Sequence, residues 1–216
     1  MTFLSCLTEE SPALVLDASV IINLLATGHA STILQALPRP SYVTDNVVVE
    51  IKGGAENGRP ESEKLLQLIE CGKIGVVELD DQALESFFSI VSGPASDSLG
   101  DGESSTLAFA HCGGMIAAID EKKATRIAAQ HFGELKIATT VDILAYEPVG
   151  FMLGQERLSQ TVLDALRLAR MQVWEHQFTW VVQQIGASNL SLCPSLRRLA
   201  KRMPASDRTA VPHHMG

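Results

Sequence analysis

The chain has 216 residues, of which 46% are hydrophobic and 19% charged, and its formal net charge is −8 at pH 7. This composition excludes a disordered chain, and the acidic balance excludes a uniformly basic nucleic-acid surface. Four cysteines without a C-x-x-C spacing indicate neither a disulfide framework nor a zinc site. No apolar run approaches the ~20 residues of a membrane span, and the N-terminus lacks a basic signal-peptide region. We therefore expect a cytoplasmic protein with no membrane contact.

Short apolar runs alternate with amphipathic segments along the first two thirds of the chain. The runs predict strands at 13–16, 41–44, 74–79, 115–119 and 135–138. The amphipathic segments predict helices at 18–26, 31–37, 61–71, 80–91, 103–111, 121–132 and 155–184. The valines of 45–51 leave two alternatives, a helix or a strand that continues to Val49. Strands that alternate with helices predict an α/β fold, with a parallel sheet covered on both faces.

Acidic side chains fall where these elements begin or end. Asp17 and Asp120 follow predicted strands, whereas Glu50 and Glu103 lie about one turn or less into predicted helices. Ligands of an open parallel sheet bind beyond the carboxyl ends of its strands, so we expect these four carboxylates to converge there. Each acid also has a local alternative, as a helix cap or a solvated helix residue. We expect Asp101 to cap the helix and Glu103 to bind a metal ion.

Four converging carboxylates repel one another and need compensation. No run of Lys or Arg in the neighbouring sequence supplies it, whereas a divalent cation would. Carboxylate and water ligands suit Mg²⁺ or Mn²⁺ and not zinc. Such a site can generate a metal-bound hydroxide and stabilise a departing oxyanion. The pattern therefore indicates phosphodiester hydrolysis without a covalent intermediate.

Four acidic motifs and a fifth segment follow one another along the chain: LVLDASVIINLL (14–25), VVVEI (47–51), GDGESSTLAFA (100–110), AAIDEKKATRIA (117–128) and TTVDIL (139–144). Over roughly residues 13–150 the chain resembles PIN-domain ribonucleases, in the branch with a D-x-G-E third motif. The resemblance implies a three-layer fold with a five-stranded parallel sheet between helices. It also implies a Mg²⁺ or Mn²⁺ site that cuts single-stranded RNA. Many such proteins are toxins of toxin–antitoxin pairs, so an antitoxin protein is an expected partner.

The resemblance also assigns roles to individual residues. The catalytic acids are Asp17, Glu50, Glu103 and Asp120, of which Asp17, Glu103 and Asp120 hold the metal. The supporting residues are Ser19, Asn23, Asp101, Thr139 and Thr140, with only one of the two threonines needed beside the acids. Lys122, Lys123 and Arg126 are expected to contact RNA phosphates, although Lys122 and Lys123 also fit a solvated helix start.

The sequence divides into three predicted parts. Residues 1–150 form the nuclease domain, and 151–186 form a helical extension that serves self-association, giving a homodimer. Residues 187–216 form a flexible basic tail, because they carry five Lys or Arg against one acid, a net of +4, whereas the first 186 residues carry 12 Lys or Arg against 24 Asp or Glu, a net of −12. The alternative function is a non-catalytic module of the same fold that binds a protein or RNA.

Overall fold

Five short parallel strands form the centre of the fold. The computed structural model describes residues 3–55, 61–92 and 98–202. The strands are β1 (Leu14–Leu16), β2 (Ser41–Thr44), β3 (Ile74–Val77), β4 (Ile116–Ala118) and β5 (Ile137–Ala138). They are ordered β3-β2-β1-β4-β5, and every neighbouring pair is parallel. The predicted α/β fold with a five-stranded parallel sheet is confirmed.

Helices cover both faces of this sheet. They are α1 (Ala18–Ala26), α2 (Ala30–Ala36), α3 (Asp45–Ala55), α4 (Glu61–Glu70), α5 (Asp81–Val91), α6 (Asp101–Cys112), α7 (Lys122–His131), α8 (Thr140–Ala145), α9 (Glu147–Leu153), α10 (Gln155–Leu168), α11 (Phe178–Ile185) and α12 (Pro194–Arg202). Two short 3₁₀ segments, Glu175–Gln177 and Ala187–Leu192, precede α11 and α12. No helix within the described ranges is both long enough and apolar enough to cross a membrane.

Successive residues of β1 pack into different layers. Leu14 and Leu16 belong to the larger hydrophobic core, together with residues of α1, α3, α10 and α12. Val15 belongs to the smaller core on the other face, with Leu107 of α6 and Ile127 of α7. This alternation follows from the period of two along a strand. The sheet is thus the middle of three layers, as predicted.

The valine-rich segment after β2 is helical. The Thr44 hydroxyl accepts a hydrogen bond from the Val47 N–H (3.4 Å) and so caps the first turn of α3. Val47 and Val48 are buried in the larger core, whereas Val49 is 67% exposed. Tertiary packing of the first two valines outweighs their modest helix propensity. The strand alternative is therefore wrong.

The predicted helix over 155–184 is interrupted. α10 ends at Leu168, and Arg170 adopts a φ of +59°, a left-handed conformation that terminates a helix. The chain resumes as α11 only at Phe178. α10 packs on α1 within the larger core, and the predicted domain boundary at residue 150 falls inside α9.

The start of the predicted flexible tail is folded. Residues 187–192 form a 3₁₀ segment, and α12 follows directly. Cys193, Leu196 and Leu199 are buried in the larger core, so apolar burial orders this segment despite its high charge. The sequence analysis is wrong for 187–202, because it gave more weight to the Ser and Arg content than to the apolar side of a short helix. The rest of the predicted tail lies outside the described residues.

Candidate active site

The site lies at the carboxyl ends of β1 and β4, where the strand order reverses. Connections from β1 lead to β2 on one side, and the later strand β4 pairs on the other side. The crevice at such a switch point is the common ligand site of open α/β sheets. The Asp17 N–H donates to the carbonyl of Ala118 (3.0 Å). This bond holds Asp17 beside the end of β4, two residues before Asp120.

Asp17 is the N-cap of α1, and one of its two carboxylate oxygens accepts side-chain and backbone hydrogen bonds. Its Oδ2 accepts hydrogen bonds from the Ser19 N–H (3.1 Å) and from the Ser19 hydroxyl (2.6 Å). Asp17 is only 3% exposed, and its Oδ1 is buried with no hydrogen-bond partner among the described residues. A buried carboxylate oxygen without a partner is costly, so this atom is suited to bind a ligand such as a cation.

Asp120 lies deeper and is held by three donors. Its Oδ1 accepts from the Thr140 N–H (2.8 Å), and its Oδ2 accepts from the Thr140 hydroxyl (2.6 Å) and from Asn23 Nδ2 (2.6 Å). Asn23 and Thr140 are themselves buried and lie 3.2 Å apart, Nδ2 to Oγ1. These bonds fix the carboxylate rigidly. Oδ1 takes one hydrogen bond and so keeps a second lone pair.

The two neighbouring threonines have different positions. Thr140 contacts Asp120, whereas Thr139 caps α8, donating from its hydroxyl to Asp142 Oδ2 (2.6 Å). The Thr139 hydroxyl also accepts from Gln177 Nε2 (2.8 Å). Thr140 is thus the hydroxyl beside the acids, and Thr139 links α8 to the C-terminal helices.

In the first turn of α6, Glu103 and not Asp101 bonds the backbone of the N-cap residue. Gly100 is the N-cap residue, and its N–H donates to Glu103 Oε2 (3.1 Å). Glu103 therefore supports the helix end, a role that the sequence analysis gave to Asp101. Asp101 is exposed at the first position of the helix, and its carboxylate forms no hydrogen bond to any described residue. Both acids nevertheless line the same cleft.

Glu50 reaches the site from the opposite wall, on α3. Its Oε2 lies so close to Gly102 that a β-carbon added there would overlap it. α3 and α6 pack against each other, and the Thr44 and Ser105 hydroxyls join β2 to α6 at 2.7 Å. The glycine between Asp101 and Glu103 thus leaves room for a third acid.

A cleft of about 570 Å³ opens between these walls. Five of its lining residues are acids: Asp17, Glu50, Asp101, Glu103 and Glu121. None of the described lining residues is a Lys or Arg. Asp120 does not line the cleft, whereas its neighbour Glu121 does. The sequence analysis missed Glu121, although its position directly after Asp120 at the same sheet edge was a usable signal.

Burial and mutual repulsion disfavour the ionised forms of these acids. The pKa of Glu103 is raised to about 7, first by burial and then by the charges of Asp17, Glu121 and Glu50. Burial also raises the pKa of Asp17, against the hydrogen bonds from Ser19. The pKa of Asp120 rises to about 6 through burial, although its three hydrogen bonds lower it. The pKa of the Glu50 carboxyl rises for the same reason, burial first and then the charge of Asp17.

The three cations predicted to bind RNA are placed differently. Lys123 Nζ donates to the Ser98 carbonyl (2.6 Å), so it secures the chain before α6. Arg126 Nη1 donates to Gln130 Oε1 (3.4 Å) on the surface of α7. Lys122 is exposed, and its Nζ lies 5.5 Å from the centroid of the Trp174 ring. Of the three, Lys122 directly follows a residue that lines the cleft.

Comparison with known proteins places the fold in a family. No curated protein matches the chain. The family model DUF3368, described as a PIN domain, matches residues 13–186. The match covers the sheet, all the acids of the cleft and the helices up to α11. The chain belongs to the PIN-domain family, a family with a nuclease-like fold.

Proposed function

We propose that this chain is a ribonuclease that hydrolyses phosphodiester bonds of single-stranded RNA with Mg²⁺ or Mn²⁺. The observation that carries the proposal is the unpartnered, buried Oδ1 of Asp17 in a cleft with four further acids and no lining cation. If these acids served only to stabilise the fold, a Lys or Arg would be expected among them. A cleft of acids without one suits a cation brought from solution.

The donor set fits a hard divalent ion. Asp17 offers a free carboxylate oxygen, Glu103 lines the same cleft, and Asp120 keeps a lone pair on Oδ1. Within the described residues, no three acids, histidines or cysteines form a group that could hold a metal ion by itself. Mg²⁺ tolerates this, because it usually binds one or two carboxylates and keeps several waters. When bound, such an ion supplies an activated water and neutralises charge on the phosphate.

The residues around the acids hold them in position. Ser19 fixes Oδ2 of Asp17, which leaves Oδ1 as the free oxygen. Asn23 and Thr140 fix Asp120. Glu50 and Glu121 line the walls of the cleft, and in this proposal one of them accepts a proton from the attacking water. Burial and the neighbouring acids disfavour the ionised form of Glu103, and a bound cation would favour it.

The non-catalytic alternative explains less. An interaction module of this fold gains nothing from burying Asp17 with an unpartnered oxygen, because that arrangement costs stability. The roles of toxin and antitoxin partner, and the homodimer, stay predictions from the sequence.

The test is cleavage of a labelled single-stranded RNA by the full chain in Mn²⁺, Mg²⁺ or EDTA. We expect cleavage that requires metal and is lost in Asp17→Asn and in Glu103→Gln. Glu63→Gln is the matched control, because Glu63 is an exposed acid on α4 that does not line the cleft. Calorimetric titration with Mn²⁺ supplies a second readout, in which the same two variants lose binding.

Two outcomes would contradict the proposal. Metal-independent cleavage would place the chemistry elsewhere or in a contaminant. A wild-type protein that neither cuts RNA nor binds Mn²⁺ would leave the acids as helix caps and favour the interaction module.

A further inference from the structure

A second depression, rich in cations, adjoins the acidic cleft. A hollow of about 340 Å³ is lined by Lys122, Arg170, Arg198 and Arg202, among other residues. A neighbouring hollow of about 420 Å³ shares Arg170 and Arg198 and adds Arg197 and Lys201. We call the surface formed by these six residues the basic groove. It joins the start of α7, the end of α10 and the exposed side of α12.

The positive charge of the basic groove is not neutralised within the described residues. No Asp or Glu lines either hollow. All six side chains are exposed, and none forms an ion pair with a described acid. In a chain whose formal net charge is −8, a concentration of six such cations is a local exception. Uncompensated cations on an acidic protein indicate an anionic partner.

The basic groove and the acidic cleft meet at two consecutive residues. Glu121 lines the cleft, and Lys122 lines the groove. Their Cα atoms are separated by one peptide unit, about 3.8 Å. The walls of the groove and of the cleft therefore adjoin at this point of the backbone.

The backbone at Arg170 points to a role for its side chain. Its φ of +59° lies in the left-handed region, just after the end of α10. Helices commonly end on Gly at this kind of position, because a residue with a β-carbon is strained there. Among the described residues other than glycine, only Arg170 has a positive φ. An arginine at a place that favours glycine points to a role for its guanidinium group.

We propose that the basic groove binds the phosphate backbone of single-stranded RNA and leads the strand into the acidic cleft. This inference rests on the proposed function, since it names how the substrate is held. Arg and Lys bind phosphates directly, whereas the groove offers no stacking platform, because Lys122 lies over the nearby Trp174 ring. The contacts are therefore independent of sequence. Four of the six cations lie on α12, outside residues 13–186 that the family model matches.

The test measures binding of a fluorescent single-stranded RNA to the full chain in EDTA, where no metal-dependent cleavage takes place. We compare Arg198→Ala/Arg202→Ala with Arg39→Ala/Lys64→Ala, a control that removes two exposed cations outside the groove. Each phosphate contact on a single strand contributes about 0.7 to the slope of log K against log salt. We therefore expect the groove variant to bind roughly tenfold or more weakly and to lose about 1.4 of that slope. The control stays at the wild-type value.

The variant Arg170→Gly distinguishes the effect of a lost charge on RNA binding from an effect of lost stability. Glycine accepts the left-handed backbone without strain, so the variant keeps or raises the melting temperature while it loses one phosphate contact. We expect weaker RNA binding and a slope reduced by about 0.7.

Three results would overturn the inference. One is equal loss of binding in the groove and control variants. Another is unchanged binding in Arg170→Gly and in the groove variant. The third is displacement of the RNA by polyglutamate as effectively as by unlabelled RNA, which would make an acidic protein the partner. Failure of the proposed function is separate, because it shows as absent cleavage while groove-dependent RNA binding persists.

Discussion

Glu50 and Gly102 touch across the mouth of the cleft, at the point where any other residue would carry a β-carbon. Oε2 of Glu50 occupies that space. The glycine is in the first turn of α6 and has no positive φ, so its backbone does not require glycine. The requirement comes from the acid of the facing helix. This contact links the VVVEI segment to the DGE segment. The position of Glu50 depends on the absence of a side chain at Gly102.

Replacing Gly102 by Ala therefore separates stability from function. Alanine favours the helix by about 0.5–1 kcal/mol, and only the flexible end of Glu50 must move. We expect an unchanged or higher melting temperature with cleavage reduced on the order of 10- to 100-fold, the cost of about 1 Å of misplacement. Gly53→Ala is the matched control, since it adds the same methyl group in α3 with nothing within 4 Å. Equal activity of the two variants would contradict the role assigned to Gly102.

A second substitution tests the hydrogen bond from the Thr140 hydroxyl to Asp120. Thr140→Val removes its 2.6 Å bond to Asp120 Oδ2 but keeps the backbone bond to Oδ1. We expect a loss of about 1–3 kcal/mol in the free energy of unfolding, measured in urea. The pKa of Asp120 rises further, because the lost bond favoured its ionised form. The rise of cleavage rate with pH then moves to higher pH.

Thr161→Val is the control for that substitution. Thr161 is equally buried, but its hydroxyl has no hydrogen-bond partner among the described residues. Its replacement by Val removes an unsatisfied polar group, so we expect neutral or increased stability and an unchanged pH profile. A similar loss in both variants would mean that the Asp120 bond contributes nothing specific.

The sequence predicts the fold well where local and tertiary signals agree. Asp17 and Asp120 follow short, fully buried strands, so strand polarity alone brings them to one edge. The sequence does not say which acids face the cleft and which are enclosed. That depends on long-range contacts, such as Asn23 to Asp120 across 97 positions. A long-range contact also separates Asp120 from Glu121. Thr140 bonds the enclosed Asp120, whereas the adjacent Glu121 lines the cleft.

The C-terminal segment shows how composition can mislead. The sequence of α12 has only three apolar residues besides its proline, and four Lys or Arg. The cations all lie on its exposed side, while Leu196 and Leu199 are buried, a spacing of three that fits one helix face. Composition averages over the two faces and indicates disorder, whereas periodicity indicates an amphipathic helix.

Leu196→Ala tests whether this helix is part of the core. Leu196 is fully buried, so its truncation is expected to cost about 2–5 kcal/mol in the free energy of unfolding. Leu192→Ala, at a residue that is 52% exposed, is expected to change it by no more than about 0.5 kcal/mol. Urea midpoints at constant m-value measure both. Equal, small effects would mean that the segment after residue 186 packs only loosely in solution.

The raised pKa values predict an unusual dependence of stability on pH. Asp120 has an ordinary pKa of 3.8 and a folded value of about 6, and Glu103 changes from 4.5 to about 7. Between about pH 4 and 7 the folded protein therefore holds protons that the unfolded chain has released. The free energy of unfolding falls as pH rises through this window, on the order of 3 kcal/mol for the buried Asp120 alone.

Metal should reverse this trend, because a divalent ion binds the ionised carboxylates and competes with their protons. In EDTA we expect the melting temperature to fall from pH 5 to pH 8. In Mn²⁺ the increase over EDTA should grow across the same range, with affinity rising roughly tenfold per pH unit for each proton displaced. Asp17→Asn should show little increase at any pH, since it lacks the free carboxylate oxygen. A stabilisation by Mn²⁺ that is constant with pH, or equal in Asp17→Asn, would place the bound ion outside the cleft.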